Sequence, residues 1–189
     1  MKALIQQTVK ESIQAKEKFF EANWADVEDC AQTMAQALKK GRKILLFGNG
    51  GSAADCQHIA AEFINRFQME RPPLAAIALT CDTSVITSIG NDYSYDDIFL
   101  KQIQALGRQG DIALGISTSG NSPNVVKAAR AAKDQGMTVI GFSGAAGQLK
   151  ELSDIPFCVE ASVTARIQEV HILLAHILCD LTEKILYNG

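Results

Sequence analysis

No C-x-x-C pair occurs among the five cysteines (Cys30, Cys56, Cys81, Cys158 and Cys179), which are odd in number and far apart. That spacing argues against a thiolate zinc knuckle and against a disulfide framework; scattered reduced thiols fit the cytosol. A run of Lys or Arg is also missing. The 18 basic and 21 acidic residues are interspersed, for a net charge of -3, so non-specific nucleic-acid binding is disfavoured. Met1-Lys2 is not followed by a signal-peptide apolar core, and no apolar run approaches membrane-spanning length. A cytoplasmic protein with no membrane or nucleic-acid partner is expected. No linker, low-complexity tract or repeat divides the 189 residues, so one domain spanning 1–189 is expected.

What is present is an alternation of strand and helix patterns. Residues 2–20 and 24–40 read as two helices, the second ending in Lys39-Lys40-Gly41, a basic last turn and a glycine stop. KILLF (43–47), LAAIAL (74–79), DIALGIS (111–117), MTVIGFS (137–143) and IPFCVE (155–160) read as short buried strands. Helical patterns lie between them: Ser52 to Phe67, a short helix from Asp82, another after Asn91-Asp92, 121–136, and a turn near Leu149. Residues 162–187 form one long terminal helix. Apolar strands alternating with helices argue a parallel sheet covered on both faces. The fold class is α/β, a doubly wound, mostly parallel five-stranded sheet of flavodoxin-like type, preceded by a helical pair (1–41) and closed by a long helix.

The terminal helix carries Ile167, Val170, Leu174, Ile177 and Leu181 in one stripe, with Ile172, Leu173 and Leu178 off it. A helix apolar on most sides is normally buried. Either subunits pack through it and through the N-terminal helices, or it lies across its own sheet.

Two loops have the composition of anion cradles. Gly48-Asn49-Gly50-Gly51-Ser52 sits where the first strand turns into a helix. Glycines let a ligand approach the backbone, Ser52 can cap the helix, and the helix start offers free N–H groups. An ordinary tight turn would look the same. Gly48, Gly50 and Ala53 also satisfy G-x-G-x-x-A, the dinucleotide fingerprint, with Asp82 as a distant ribose carboxylate. A P-loop is ruled out, because no G-K-[ST] follows. The second loop, Ser117-Thr118-Ser119-Gly120-Asn121-Ser122 before Pro123, gathers four hydroxyls at another helix start. Two such loops at the carboxyl ends of parallel strands favour a phosphorylated small molecule.

Just beyond the first loop, His58 and Glu62 stand at i and i+4 on one helix face. That pairing suits a divalent metal or an acid–base pair. The other two histidines, His171 and His176, lie on the terminal helix. Gln168 and His176 are separated by about 12 Å of rise and about 80° of turn, so residues of more than one subunit are expected to complete a shared site.

GNGGSAAD, ISTSGNSPNV, IGNDYSYDDIF and RIQEVHILLAH together resemble the sugar isomerase (SIS) domain, and within it the bacterial phosphoheptose isomerases, over almost the whole chain. The resemblance implies interconversion of sedoheptulose 7-phosphate and D-glycero-D-manno-heptose 7-phosphate through an enediol, supplying heptose for lipopolysaccharide or surface glycans. It implies Glu62 as base and His176 as acid, and zinc held by His58, Glu62, Gln168 and His176. Substrate contacts are implied at Asn49, Gly50, Gly51, Ser52, His58, Glu62, Asn91, Asp92, Ser117, Thr118, Ser119, Ser122 and Gln168, and a homotetramer is implied. Arg66, one turn past Glu62, reads as a charged neighbour of the site or a solvated surface residue, and His171 as structural. The segment 144–154 is less glycine-rich than in close relatives of that group. A non-catalytic SIS adaptor that binds the replication initiator DnaA is the alternative; the intact GNGGS, Glu62 and His176 favour the enzyme.

Overall fold

A computed structural model describes residues 1–187. Five strands, β1 (Ile44–Gly48), β2 (Ala76–Ala78), β3 (Ile112–Ser117), β4 (Thr138–Gly144) and β5 (Ile155–Val159), form one parallel sheet in the order β2-β1-β3-β4-β5. This is the flavodoxin-like order, whose direction of winding switches between β1 and β3. Every residue of β1 and β3 is buried, as expected of central parallel strands covered on both faces.

The period-two alternation of a strand divides the core in two. Ile44 and Leu46 join the apolar cluster under α1 (Lys2–Lys39), α2 (Gly51–Ile64) and α7 (Thr164–Tyr187). Leu45 and Phe47 join the opposite cluster with α4 (Ile98–Leu106), α5 (Pro123–Asp134) and Leu149 of α6 (Gln148–Leu152). The helix α3 (Thr83–Asp92) begins at Asp82, whose carboxylate accepts the Val85 N–H at 2.9 Å. Asp82 is thus committed to a helix cap, which removes it as the ribose partner of a dinucleotide.

The expected N-terminal helical pair is one helix of 38 residues. Glu21-Ala22-Asn23 contains neither Gly nor Pro, and the Asn23 amide donates to the Phe19 carbonyl at 2.7 Å within the continuing helix. The second half of α1 buries Val27, Cys30, Ala31, Met34 and Leu38. Its first half leaves Leu4, Ile5, Val9 and Ile13 between 50% and 64% exposed. The terminal helix α7 buries Ile167, Val170 and Leu174 of its stripe, and Leu178 beside it, within its own chain, and leaves Ile177 and Leu181 partly buried. Asn91 and Asp92, expected in a loop between helices, form the last turn of α3; a short 3₁₀ turn (Tyr95–Asp97) leads on to α4.

Candidate active site

Both glycine- and serine-rich loops leave the sheet at its carboxyl edge, side by side, because β1 and β3 are paired up to Gly48 and Ile116. In the first loop Gly50 takes φ +57°, a conformation that disfavours side chains. At Gly51 an added Cβ would lie 2.7 Å from the Gln168 Nε2, so a side chain there would displace the Gln168 amide. Ser52 is buried. In the second loop the Ser117 and Ser122 hydroxyls are 2.9 Å apart, with Ser119 3.4 Å from Ser117. Ser122 stands at the N-cap of α5, yet its hydroxyl does not cap the helix. The hydroxyls bond one another, and α5 presents its first N–H groups beside them. The segment 144–154, whose structure the sequence leaves open, braces this loop from behind: Gly144 donates to the Thr118 carbonyl and Leu149 to that of Gly120.

The helices α2 and α7 meet at three successive levels. Gly51 faces Gln168, His58 faces His176, and the chain just past α2 is held by Glu183. At the middle level the two Nε2 atoms are 2.9 Å apart. One imidazole donates and the other accepts, so their tautomers differ. Phe67 stacks on His176 with ring centroids 5.5 Å apart, and the Glu62 carboxylate lies 3.6 Å from His58 Nε2. His58, Glu62 and His176 therefore converge within one chain. Gln168 lies about two turns nearer the start of α7, against the glycine loop. Both imidazoles, like all helical side chains, lean toward the N-terminal ends of their helices, which is the end where Gln168 lies. Among the described residues no three His, Cys, Asp or Glu side chains form a ready-made metal cage. Two imidazole nitrogens and a carboxylate oxygen nevertheless make the donor set of catalytic zinc sites, and separations of 2.9 and 3.6 Å are those of neighbouring ligands.

The model of the SIS domain family matches residues 9–144. A phosphoheptose isomerase of Nitratidesulfovibrio vulgaris is 57% identical over 95% of this chain and 86% of its own. The chain belongs to the phosphoheptose isomerase family of SIS-domain proteins. Another member of that family, from Clostridium acetobutylicum, is 50% identical over the full chain and 97% of its own length. The solved phosphoheptose isomerase of Neisseria gonorrhoeae superposes with a TM-score of 0.91, at 44% identity over 97% of this chain and 98% of its own.

Several residues that hold this family's site together here carry no sequence motif. Glu183, fully buried, accepts the Phe67, Gln68 and Met69 N–H groups and the Arg71 guanidinium. Burial pushes its carboxyl up, but those four donors together outweigh burial and hold it below the usual range. Arg71, also buried, donates Nη2 to the Glu62 carbonyl at 2.8 Å and Nη1 to that of Phe63 at 2.7 Å. It thus satisfies carbonyls that the end of α2 would otherwise leave unpaired. Arg66 pairs with the exposed Glu70 at 3.6 Å, which fits the second of its two readings, a solvated surface residue. Asp55, one turn before His58, has its carboxyl pushed up by burial, with His58 and His176 pulling it partly back. Asn91 and Asp92 are exposed and bond one another at 2.8 Å. His171 is buried, its Nε2 3.2 Å from the Ser143 carbonyl, in keeping with its structural reading.

Proposed function

We infer that this protein is an aldose–ketose isomerase that converts sedoheptulose 7-phosphate into D-glycero-D-manno-heptose 7-phosphate. The observation that carries the reading is the meeting of His58, Glu62 and His176 beside α2, the helix that starts at the first of the two anion-binding loops. Identities of 50–57% with phosphoheptose isomerases support the substrate.

The residues divide the work by position. Ser117, Thr118, Ser119 and Ser122, with the N–H groups at the start of α5, bind the phosphate; Asn49, Gly50, Gly51 and Ser52 close over it from the neighbouring loop. No Lys or Arg is among them, so the dianion is held by dipoles and hydroxyls, which fit phosphate without neutralising it. Glu62 lies about 16 Å of helix rise beyond Gly51, and its side chain leans back toward the loop. A seven-carbon chain anchored by its phosphate and running along α2 brings C1 and C2 toward Glu62. Gln168, beside the glycine loop, and Asn91 and Asp92 are assigned to the sugar hydroxyls.

Isomerisation moves one proton from C1 to C2 and another from the C1 oxygen to the C2 oxygen. Glu62 takes the first from C1 of the ketose, the electron pair forms the C1–C2 enediol, and the same carboxyl returns a proton to C2. His176, oriented by stacking on Phe67, gives a proton to the C2 oxygen as it changes from carbonyl to hydroxyl and takes the proton that the C1 hydroxyl releases as it becomes the carbonyl. His58, Glu62, Gln168 and His176 are also the residues that would hold a zinc ion; a zinc-bound imidazole nitrogen carries no proton, so His176 serves as the acid only in the metal-free protein. When bound, zinc polarises the substrate carbonyl and stabilises negative charge on its oxygen. The exposed stripe Leu4, Ile5, Val9 and Ile13 supports a homotetramer built through the first half of α1. Free thiols at all five cysteines support a cytoplasmic enzyme, and that place suits synthesis of heptose precursors for lipopolysaccharide or other surface glycans.

Turnover of several ketose phosphates, assayed side by side, tests the reading. Sedoheptulose 7-phosphate should be the preferred substrate by kcat/KM; preference for a pentose or hexose phosphate would overturn it.

A further inference from the structure

Past the last paired residues of β1 and β3, one side-chain link joins the two loops. The Asn49 amide donates to Asn124 Oδ1 at 2.8 Å, and the Asn124 amide donates back to Asn49 Oδ1 at 2.9 Å. Asn49 belongs to the glycine loop. Asn124 is the second residue of α5, directly after the serine loop, and is 2% exposed.

Counting donors and acceptors shows how fully this link occupies both side chains. Asn124 Oδ1 accepts a second bond from the Val125 N–H at 2.9 Å, so both its lone pairs are used. Asn49 Oδ1 accepts a second bond from the Tyr95 hydroxyl at 3.3 Å and is likewise full. Asn49 keeps one side-chain N–H for a ligand. Only a primary amide can both donate and accept in this reciprocal way; Asp would set two acceptors face to face, and Leu would leave buried polar groups unpaired.

We propose that Asn124 is a positioning residue for substrate binding. It fixes the Asn49 side chain, and through it sets the glycine loop against the serine loop so that both grip one phosphate. The inference rests on the sugar-phosphate reading above. Because the link lies at the phosphate loops, far from Glu62, it acts on KM and not on the proton-transfer step.

The test measures kcat and KM for sedoheptulose 7-phosphate, and inhibition by inorganic phosphate, in the whole protein and in Asn124→Ala, Asn49→Ala and the double variant. In Asn124→Ala, KM and the phosphate inhibition constant should rise together by about tenfold, with kcat within about threefold. The double variant should be no worse than the poorer single one, because both remove the same link. Asn124→Ser keeps a polar group at the helix start and carries the same expectation if the alanine variant does not fold. A folded Asn124 variant with unchanged phosphate inhibition, a fall in kcat at constant KM, or multiplying effects in the double variant would each overturn the proposal. Failure of phosphate to compete in the unmodified protein would instead overturn the sugar-phosphate reading beneath it.

Discussion

His58 and His176 are 118 residues apart in the chain, yet their Nε2 atoms stand 2.9 Å from each other. Two imidazoles so placed share one proton, and a metal ion must displace it, because it binds only neutral, unprotonated nitrogen. Metal analysis after chelation and zinc addition should give one ion per subunit in the unmodified protein and none in His176→Ala or His58→Ala. Activity should fall with chelation and return with zinc.

The buried pair Arg71–Glu183 predicts a large stability effect away from the chemistry. Both side chains are at most 1% exposed, and Arg71→Met would leave Glu183 charged and without its cation. Losing one partner of a buried ion pair costs about 3–5 kcal/mol. Urea unfolding should show that loss for Arg71→Met and a smaller one for the double variant Arg71→Met/Glu183→Leu.

His171 predicts an acid limb in stability. Burial lowers its pKa from the ordinary 6.5 to about 4, against a smaller opposing effect of the Ser143 carbonyl. Its Nδ1 is buried without a partner, so the proton that would charge the ring has no acceptor. The unfolded chain takes up that proton below pH 6.5 while the folded protein does not until about pH 4. Folding stability contributed by neutral His171 is thus present in full above pH 6.5, declines as pH falls and levels off below about 4, a change of up to about 3 kcal/mol. Denaturation curves across this range should be flatter for His171→Phe.

The uncovered stripe on the first half of α1 predicts how the subunits meet. Light scattering should give a tetramer for the unmodified protein. Ile5→Asp combined with Val9→Asp should yield smaller species, with the fold unchanged by circular dichroism, because these side chains contribute little to the core of their own chain.

Much of this architecture could be read in the sequence because its signals are local. Each strand is a short apolar run, and each loop announces itself by glycines or hydroxyls within six residues. The polar interruption Glu21-Ala22-Asn23 looked like a joint between two helices, but without a helix breaker it stays helical and α1 runs through it. Gln168 and His176 remain as far apart as their spacing on one helix implies, Gln168 against Gly51 and His176 against His58 seven residues further along α2. The supporting residues were illegible for a different reason. Arg71 meets Glu183 across 112 positions and Asn49 meets Asn124 across 75, and no periodicity or motif records a pairing over such distances.

The central claim, that Glu62 carries the proton between C1 and C2, is tested most directly by isomerising sedoheptulose 7-phosphate in deuterated water. Proton NMR should show deuterium entering at the exchanging carbons with the unmodified protein. Glu62→Gln should stay folded while exchange and turnover both fall by about 10²–10⁴-fold. A folded Glu62→Gln protein that exchanges and isomerises at the unmodified rate would contradict the account.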